Sequence, residues 1–439
     1  MAGASSIHGT TFAFFVETNQ GEPPGYSVSV PQGTSTAWAS AEGTNCYRHI
    51  VHEADPGWIQ ATDIENPQLV TGVLAENVPI AGVGSADGGS LALTFHGSEA
   101  ATSAASQVSS TSLMELLEVC LGGLVRGNTT DVDASVTSDI SYDIVASTNL
   151  QAGQLIAVED ADNLGSLYPQ RIQTISSESI TTSRDISDFA IATGDNVHAV
   201  ATLYPDADAL SDCSDALYKT ISVLIEKNGT QWEATGCVPQ LDSIEFPRNG
   251  VPTLNMSLMS GGVFPPGPNG IAVPTWTGSI QGDAGQAVGV KTRMHIQAHG
   301  TTTDICYDVG GVTLTPGLPR QRVETVTQCD ATLEGTAGFT LGRASTMLEV
   351  SVLLNPTNST LFETAFKNKT AFELTYYHVN EAGKCWCVHL PKAYIKNKVY
   401  AEQSETKWYT LSFVAHEDST ITNASNPELA RARFLLGIY

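Results

Sequence analysis

Two stretches of this chain run through the same order of residues. GTQWEATGCVPQLDSIEFPRNGVPTLNMSLMSGG (229–262) and GKCWCVHLPKAYIKNKVYAEQSETKWYTLSFVAHED (383–418) each follow a strand-like segment and a Gly turn. Each passes Trp, then Cys-Val, then Pro, and continues as an alternating segment. Each then crosses a polar loop and ends in a second alternating segment, NMSLMS or TLSFVA. Upstream of both lie a strand-like segment and an amphipathic helix. An internal repeat constrains a fold more than any local propensity, because each copy is one supersecondary unit and the molecule must be assembled from both. The order strand, helix, hairpin, long strand, loop, strand is expected twice.

The remaining signals are mostly β. SVSVPQ (27–32), SLALTFHG (90–97), TISVLIEKNG (220–229), TMLEVSVLL (346–354), FELTYYHV (372–379) and WYTLSFVAH (408–416) are β-branched or aromatic and often alternate, with Gly and Asn turns between them. Two segments have helical spacing. In SSTSLMELLEVCLGGL (109–124) the apolar residues Leu113, Leu116, Leu117, Cys120 and Leu121 share a face, with Thr111 or Ser112 as cap. In NSTLFETAFKNK (358–369) the stripe is Leu361, Phe362, Ala365 and Phe366, with Ser359 or Thr360 as cap. The first copy also holds about ninety extra residues between its helix and its hairpin, too many for a structureless loop. Their centre, 152–205, has four or five short strands.

The expected fold is therefore mainly β (α+β): two tandem β-sandwich or barrel domains, each with one amphipathic helix, plus a small inserted β-barrel. The boundaries read as 1–265 for the first domain with its insertion at about 148–207, a Pro/Gly-rich linker at 266–282, and 283–439 for the second domain.

Charge narrows the function. The chain has 21 basic and 46 acidic residues, a formal net of −25, the reverse of what a phosphate-gripping protein carries. No apolar run is long enough to cross a membrane. The opening MAGASSIHGTTFAFFVE lacks both a basic segment and a continuous apolar one, so no secretory signal is expected. Eight cysteines scattered over 439 residues do not form a disulfide framework, and reduced thiols are expected.

Cys385, Cys387 and His389 sit at every second position, so on a strand they share one face, with His378 expected opposite Cys385 across a hairpin. Thiolate and imidazole suit zinc. The spacing is not that of a zinc finger, however, and the competing reading is a half-buried strand whose small thiols pack as hydrophobes. Gly-rich GVGSADGGS (82–90) lacks the spacing and the Lys of a phosphate loop. EDADN (159–163) lacks the Gly and distal Glu of a calcium loop and reads as a turn. Asp206, Asp208, Asp212 and Asp215 read as a solvated acidic loop, with divalent-cation binding the alternative. His8, His49, His52 and His96 have Ser neighbours but no GxSxG frame. No cofactor is expected, and no catalytic constellation is found, so the chain does not read as an enzyme.

The order of elements resembles the phage tail tube proteins. FFVETNQGEPPG (14–25), with Glu17 and Gly21 in an acidic E-x-x-x-G segment, is similar to the start of many of them. GSLALTFHG, the helix TSLMELLEVCLGGL, and the run from TISVLIEKNG to NMSLMSGG look like their strand–helix–hairpin–strand pattern. Residues 152–205 look like a small barrel that such proteins sometimes insert, and the segment from TAGFTLG onward is similar to a second copy. The resemblance implies a non-enzymatic virion protein of a long-tailed phage, assembled in the host cytoplasm into stacked rings. Single-domain subunits of this kind form sixfold rings, so a fused pair implies trimeric rings of pseudo-sixfold symmetry, with hexameric rings the alternative. Implied partners are further copies of the chain and the tail terminator, tape measure and tail-tip proteins. DNA would pass an acidic lumen without specific binding, and no membrane insertion is implied. The loops expected at 246–253 and 397–408 would bridge rings, with Phe246, Tyr400 and Trp408 as contacts; the competing reading is that these aromatics cover their own core. Other β-rich virion components (tail tip, baseplate or capsid decoration), a surface adhesin module and a zinc-dependent enzyme are the alternative functions.

Overall fold

The computed structural model describes residues 10–17, 48–50, 59–65, 80–94, 112–147, 149–159, 161, 167–184, 190–211, 219–227, 230–247, 252–259, 262–264, 292–301, 305–324, 336–378, 385–403 and 406–439. The segment 27–32 and the linker 266–282 lie outside them. The described residues are mostly β, in antiparallel pairings. The helices among the described residues are Ser112–Leu121 (α1), Ala207–Ser211 (α2), Pro356–Asn368 (α3) and Pro427–Arg431 (α4).

One strand-pairing scheme occurs twice. In the first half Thr10–Val16 pairs Ile221–Lys227, which pairs the start of Thr230–Pro247. The later part of that long strand pairs Thr253–Met259, which pairs the end of Ile80–Thr94. In the second half Arg293–Ala298 pairs Ala371–His378, which pairs the start of Trp386–Gln403. Its later part pairs Thr406–Ala415, which pairs Met347–Leu353. The hairpin arms also correspond: Ile59–Glu65 pairs the start of Ile80–Thr94, and Arg320–Glu324 pairs Thr336–Leu341. α1 and α3 occupy the same place in the two schemes.

The central strands show why the repeat is possible at low identity. Each is 18 residues long, and each is irregular on both sides. Against the preceding strand the register shifts between Ile221 and Val223, and between Phe372 and Leu374. Against the following strand it shifts between Leu241 and Ser243, and between Ile395 and Asn397. An extra residue bends a strand and increases its twist, so that one strand leaves one set of partners and enters another. The bends, not particular side chains, are what the two halves share.

Two joints fuse the halves. Ile244–Pro247 of the first long strand pairs Gly311–Leu314 of the second half, edge to edge. Leu435–Ile438 runs between Ala201–Leu203 on one side and Trp386–His389 on the other.

Between Thr130 and Ala199 six strands close a barrel, in the order Ser179–Thr182, Ser141–Ile144, Thr130–Ser138, Asn196–Ala199, Leu155–Glu159 and Leu167–Ser176. The insertion expected at about 148–207 is displaced: the barrel begins earlier, and Ala201–Pro205 belongs to the large sheet, paired to Gly122–Val125. The polar run TDVDASVTS (130–138) hides the first barrel strand from any hydrophobic pattern, since Val132 is the only fully buried apolar side chain among those described in it.

Both helices differ from expectation. Met114 and Val119 are buried along with the predicted stripe of α1, so this helix is covered nearly all round. Arg320 from the second half adds to that cover, donating through Nη2 to the Val119 carbonyl near the helix end. In α3 the cap is Asn355, not Ser359 or Thr360. Its side chain accepts from the Asn358 amide, Asn358 returns a bond to the Asn355 amide, and Pro356 opens the helix. Only Phe362 and Ala365 of the α3 stripe are buried; Leu361 and Phe366 are exposed.

Candidate functional site

The stretch Cys385–Leu390, which holds Cys385, Cys387 and His389, is buried on both faces. Its register corrects the expected neighbour: His378 lies opposite Trp386, and Tyr377 opposite Cys387. A one-residue difference moves a side chain to the other face of the sheet. His378 therefore stands with Trp386, away from the thiols, where its Nδ1 lies 3.3 Å from Tyr376 Oη and 3.2 Å from Thr292 Oγ1.

The three residues do share a face, but they do not form a metal centre. Four residues of extended chain separate Cys385 from His389 by roughly 13 Å, far beyond the span of one ion's ligands. Burial pushes the Cys385 thiol far above its ordinary range and the Cys387 thiol up to about 12, so both are held as neutral S–H. The His389 Nδ1 is 2.9 Å from Thr375 Oγ1. Among the described residues no group of three or more His, Cys, Asp and Glu side chains is placed to hold a metal ion.

This face looks instead at the inserted barrel. Burial first, then the positive charges of Arg171 and Arg184, hold the His389 imidazole neutral, well below its usual pKa. Arg171 is buried in the barrel strand Leu167–Ser176 and donates to three acceptors. Its Nη1 reaches Asp418 Oδ2 at 3.0 Å, its Nη2 the Ala430 carbonyl at 2.8 Å, and its Nε the Gly153 carbonyl at 3.3 Å. Asp418 is itself buried and accepts from the Thr420 amide and hydroxyl. Arg184 is buried and donates to the Pro169 carbonyl at 2.7 Å.

Glu373 of the second half completes the cluster. It accepts from Ser183 Oγ of the barrel at 2.6 Å and lies 3.7 Å from His389 Nε2. Burial raises its pKa to about 7 against the opposing pull of Ser183, Gln297, Arg171 and Arg184. A third polar contact sits nearby: Tyr439 Oη and Glu159 Oε2 lie 2.7 Å from the two nitrogens of His198. Buried charges that are paired and hydrogen-bonded in this way fix one docking geometry, because any other leaves them stranded. The cluster holds the barrel against the second half's sheet.

Sequence reasoning missed Arg171, Arg184, Glu373 and Asp418. Arg171 and Asp418 meet across 247 positions, and Glu373 meets Ser183 across 190. Nothing in the local sequence marks them: Arg184, for one, lies in the polar run TTSRDIS (181–187).

Phe246 is buried at the joint, its ring 4.7 Å from that of Tyr376 and 5.5 Å from that of His378. Trp408 is 8% exposed and donates from Nε1 to Thr406 Oγ1. Tyr400 alone of the three is open, 49% exposed, with its ring edge against Tyr409. The loop expected at 397–408 is strand through Gln403 and again from Thr406. The loop expected at 246–253 is strand at its start and end, and 248–251 lies outside the described residues.

Glu17 is buried, accepting from Ser222 Oγ and Thr220 Oγ1 at 2.5 Å and from the Gly236 amide at 2.9 Å, so it ties its strand to the next two. Gly21 lies outside the described residues. Glu159 of EDADN serves His198, and Asp206 caps α2 through the Asp208 and Ala209 amides; Asp212 and Asp215 lie outside the described residues, as do His8, His52 and His96.

No protein-family model matches this chain, and no curated protein matches it. Its architecture is one strand-pairing scheme present twice within a single large sheet, with a barrel packed against the second occurrence.

Proposed function

We propose that this chain is the tube subunit of a phage tail, a structural protein that polymerises as stacked rings around a channel for DNA. One observation carries the reading. The pairing scheme occurs twice and its two copies are already joined side by side through Ile244–Pro247 and Gly311–Leu314, which is the relationship that neighbouring units of a ring need. Three chains would then supply six equivalent units. The exposed strand edges that usually threaten aggregation become the means of assembly. The net charge of −25 suits a lumen that repels the DNA backbone and lets it slide. In this reading the chain works in the virion tail after assembly in the host cytoplasm, meets terminator, tape measure and tip proteins at the ends and in the bore of the tube, and catalyses nothing.

Electron microscopy of the purified protein at rising concentration tests it. Hollow rings or tubes with three chains per ring are expected. Rings of six chains would keep the tube and remove the pseudo-symmetric use of the repeat. Solid monomers or closed particles at every concentration would sink the reading and favour an accessory virion component or a binding module.

A further inference from the structure

The internal joint locates a second one. After the irregularity in each long strand, Ser243 pairs Asn255 in the first half and Asn397 pairs Ser412 in the second. Ser243 and Asn397 are therefore equivalent. Three residues further on, Phe246 is equivalent to Tyr400, and Ile244–Pro247 corresponds to Lys398–Ala401. The same position thus has two fates in one molecule. Phe246 is 2% exposed because the second half covers it, whereas Tyr400 is 49% exposed and its neighbour Val399 51%.

The surroundings of Lys398–Ala401 match an interface held open. On one side the segment pairs Thr406–Ala415, and among the described residues no strand lies along its other side. Its Lys398 ammonium is bonded to Glu363 and stands 5.2 Å from the centre of the Phe366 ring. Phe366 is 37% exposed, so the aromatic surface of Tyr400 continues onto α3. Exposed aromatic and β-branched side chains at a strand edge are costly to leave in water and are the usual anchors of a protein interface.

We infer that Lys398–Gln403 is the docking edge for the first half of a second copy of this chain. The second copy would pair with it as Gly311–Leu314 pairs with Ile244–Pro247, with Tyr400 taking the buried place that Phe246 has within the chain. The contact is head-to-tail, since it joins the second half of one chain to the first half of the next, and repetition closes a ring only if the rotation fits. This inference rests on the ring reading for its stoichiometry and on the internal joint for its location.

The test is a double variant, Val399→Lys with Tyr400→Asp, beside Val145→Lys, which alters an exposed barrel residue outside the proposed edge. Assembly is followed by sedimentation and electron microscopy, folding by circular dichroism and thermal melting. The double variant is expected to remain a folded monomer, with its half-assembly concentration raised at least about thirtyfold. Val145→Lys is expected to assemble as the wild type does. Backbone amides of 398–403 are expected to become protected from hydrogen exchange when the wild type assembles. Wild-type-like assembly of the double variant, without protection of these amides, would overturn the docking edge while leaving the tube reading intact. A wild type that forms closed dimers abolished by the double variant would support the edge and defeat the tube. A wild type monomeric at every concentration would defeat both.

Discussion

Arg171 and Asp418 form a buried ion pair across 247 positions of sequence, at 3.0 Å, between the inserted barrel and the segment that follows the last strand of the second repeat. The barrel belongs to the first half by chain order and to the second by contact. Removing one partner leaves the other charged and dry, which costs roughly 3–5 kcal/mol. Arg171→Met should therefore lower the unfolding free energy in urea by about that much. Asp418→Asn should cost a comparable amount, because Arg171 stays charged and the new NH2 group meets the Thr420 amide from which Asp418 accepts. An Arg171→Met protein as stable as the wild type would show that the pair does not hold the barrel.

The Glu373 carboxyl gives the same contact a pH dependence. Its folded pKa of about 7 lies above the ordinary 4.5, so its native form prefers the proton. The sign follows: the favourable protonated state is fully present below about pH 4.5 and is lost as pH rises through 7. His389, whose pKa is depressed by burial, acts oppositely, and its contribution is present above 6.5 and is lost as pH falls. Between 4.5 and 6.5 the two offset each other, and above 6.5 Glu373 acts alone. Glu373→Gln should thus flatten the decline in melting temperature of the wild type between pH 6.5 and 8. Parallel pH profiles for the two proteins would remove Glu373 as the cause.

The thiols supply a chemical check on the strand that first suggested a metal. Cys120, Cys237, Cys385 and Cys387 are buried, whereas Cys306 is exposed. Nucleophilic attack needs an accessible thiolate. Brief maleimide labelling of the native protein followed by peptide mass spectrometry should modify Cys306 and spare those four, which should react only after denaturation. Native labelling of Cys387 would contradict the buried, protonated strand described above.

How much of this was legible in the residues depended on the kind of signal. The repeat could be read because Trp, Cys-Val and Pro recur in order, and the strands Met347–Leu353 and Thr406–Ala415 largely follow their alternation. The bulges beside Asp242 and Lys396 left no such mark, since an extra residue changes register without changing composition. Asn355 was passed over as a cap because Ser359 and Thr360 are equally good caps one turn later, and the proline that decides between them acts through backbone geometry. The contacts of Arg171 and Glu373 were illegible because nothing local distinguishes a buried charge from a solvated one. The partner is supplied by the tertiary fold.

Gly437 tests the strand that joins the halves. A methyl group there would lie 2.8 Å from Val200 Cγ1, 3.1 Å from Leu155 Cδ1 and 3.3 Å from Cys387 Cβ. All three neighbours are buried, so the shift that such a methyl group demands has to be taken up inside packed core. Gly437→Ala should destabilise the protein by about 1–3 kcal/mol through overpacking, despite the entropy that alanine saves in the unfolded chain. Chemical denaturation measures it, and a neutral or stabilising result would mean that the strand is not tightly packed between Ala201–Leu203 and Trp386–His389.

The equivalence of Phe246 and Tyr400 makes its own prediction for the isolated chain. Both occupy the fourth position of the same edge segment counted from the shared register shift, yet one ring is covered and the other is open. Truncating a fully buried aromatic costs about 3–5 kcal/mol. Truncating one that is 49% exposed costs less, its ring contact with Tyr409 being worth about 1 kcal/mol. Phe246→Ala should therefore destabilise the monomer strongly and uncouple the halves, so that calorimetry resolves two transitions. Tyr400→Ala should barely move the monomer's melting temperature. If the wild type assembles, the assembled form should change this order: Tyr400→Ala then gains a large cost, because its ring has been covered by the next copy. Equal, small effects of Tyr400→Ala in monomer and assembly would separate the two residues and break the analogy between the inner joint and the outer edge.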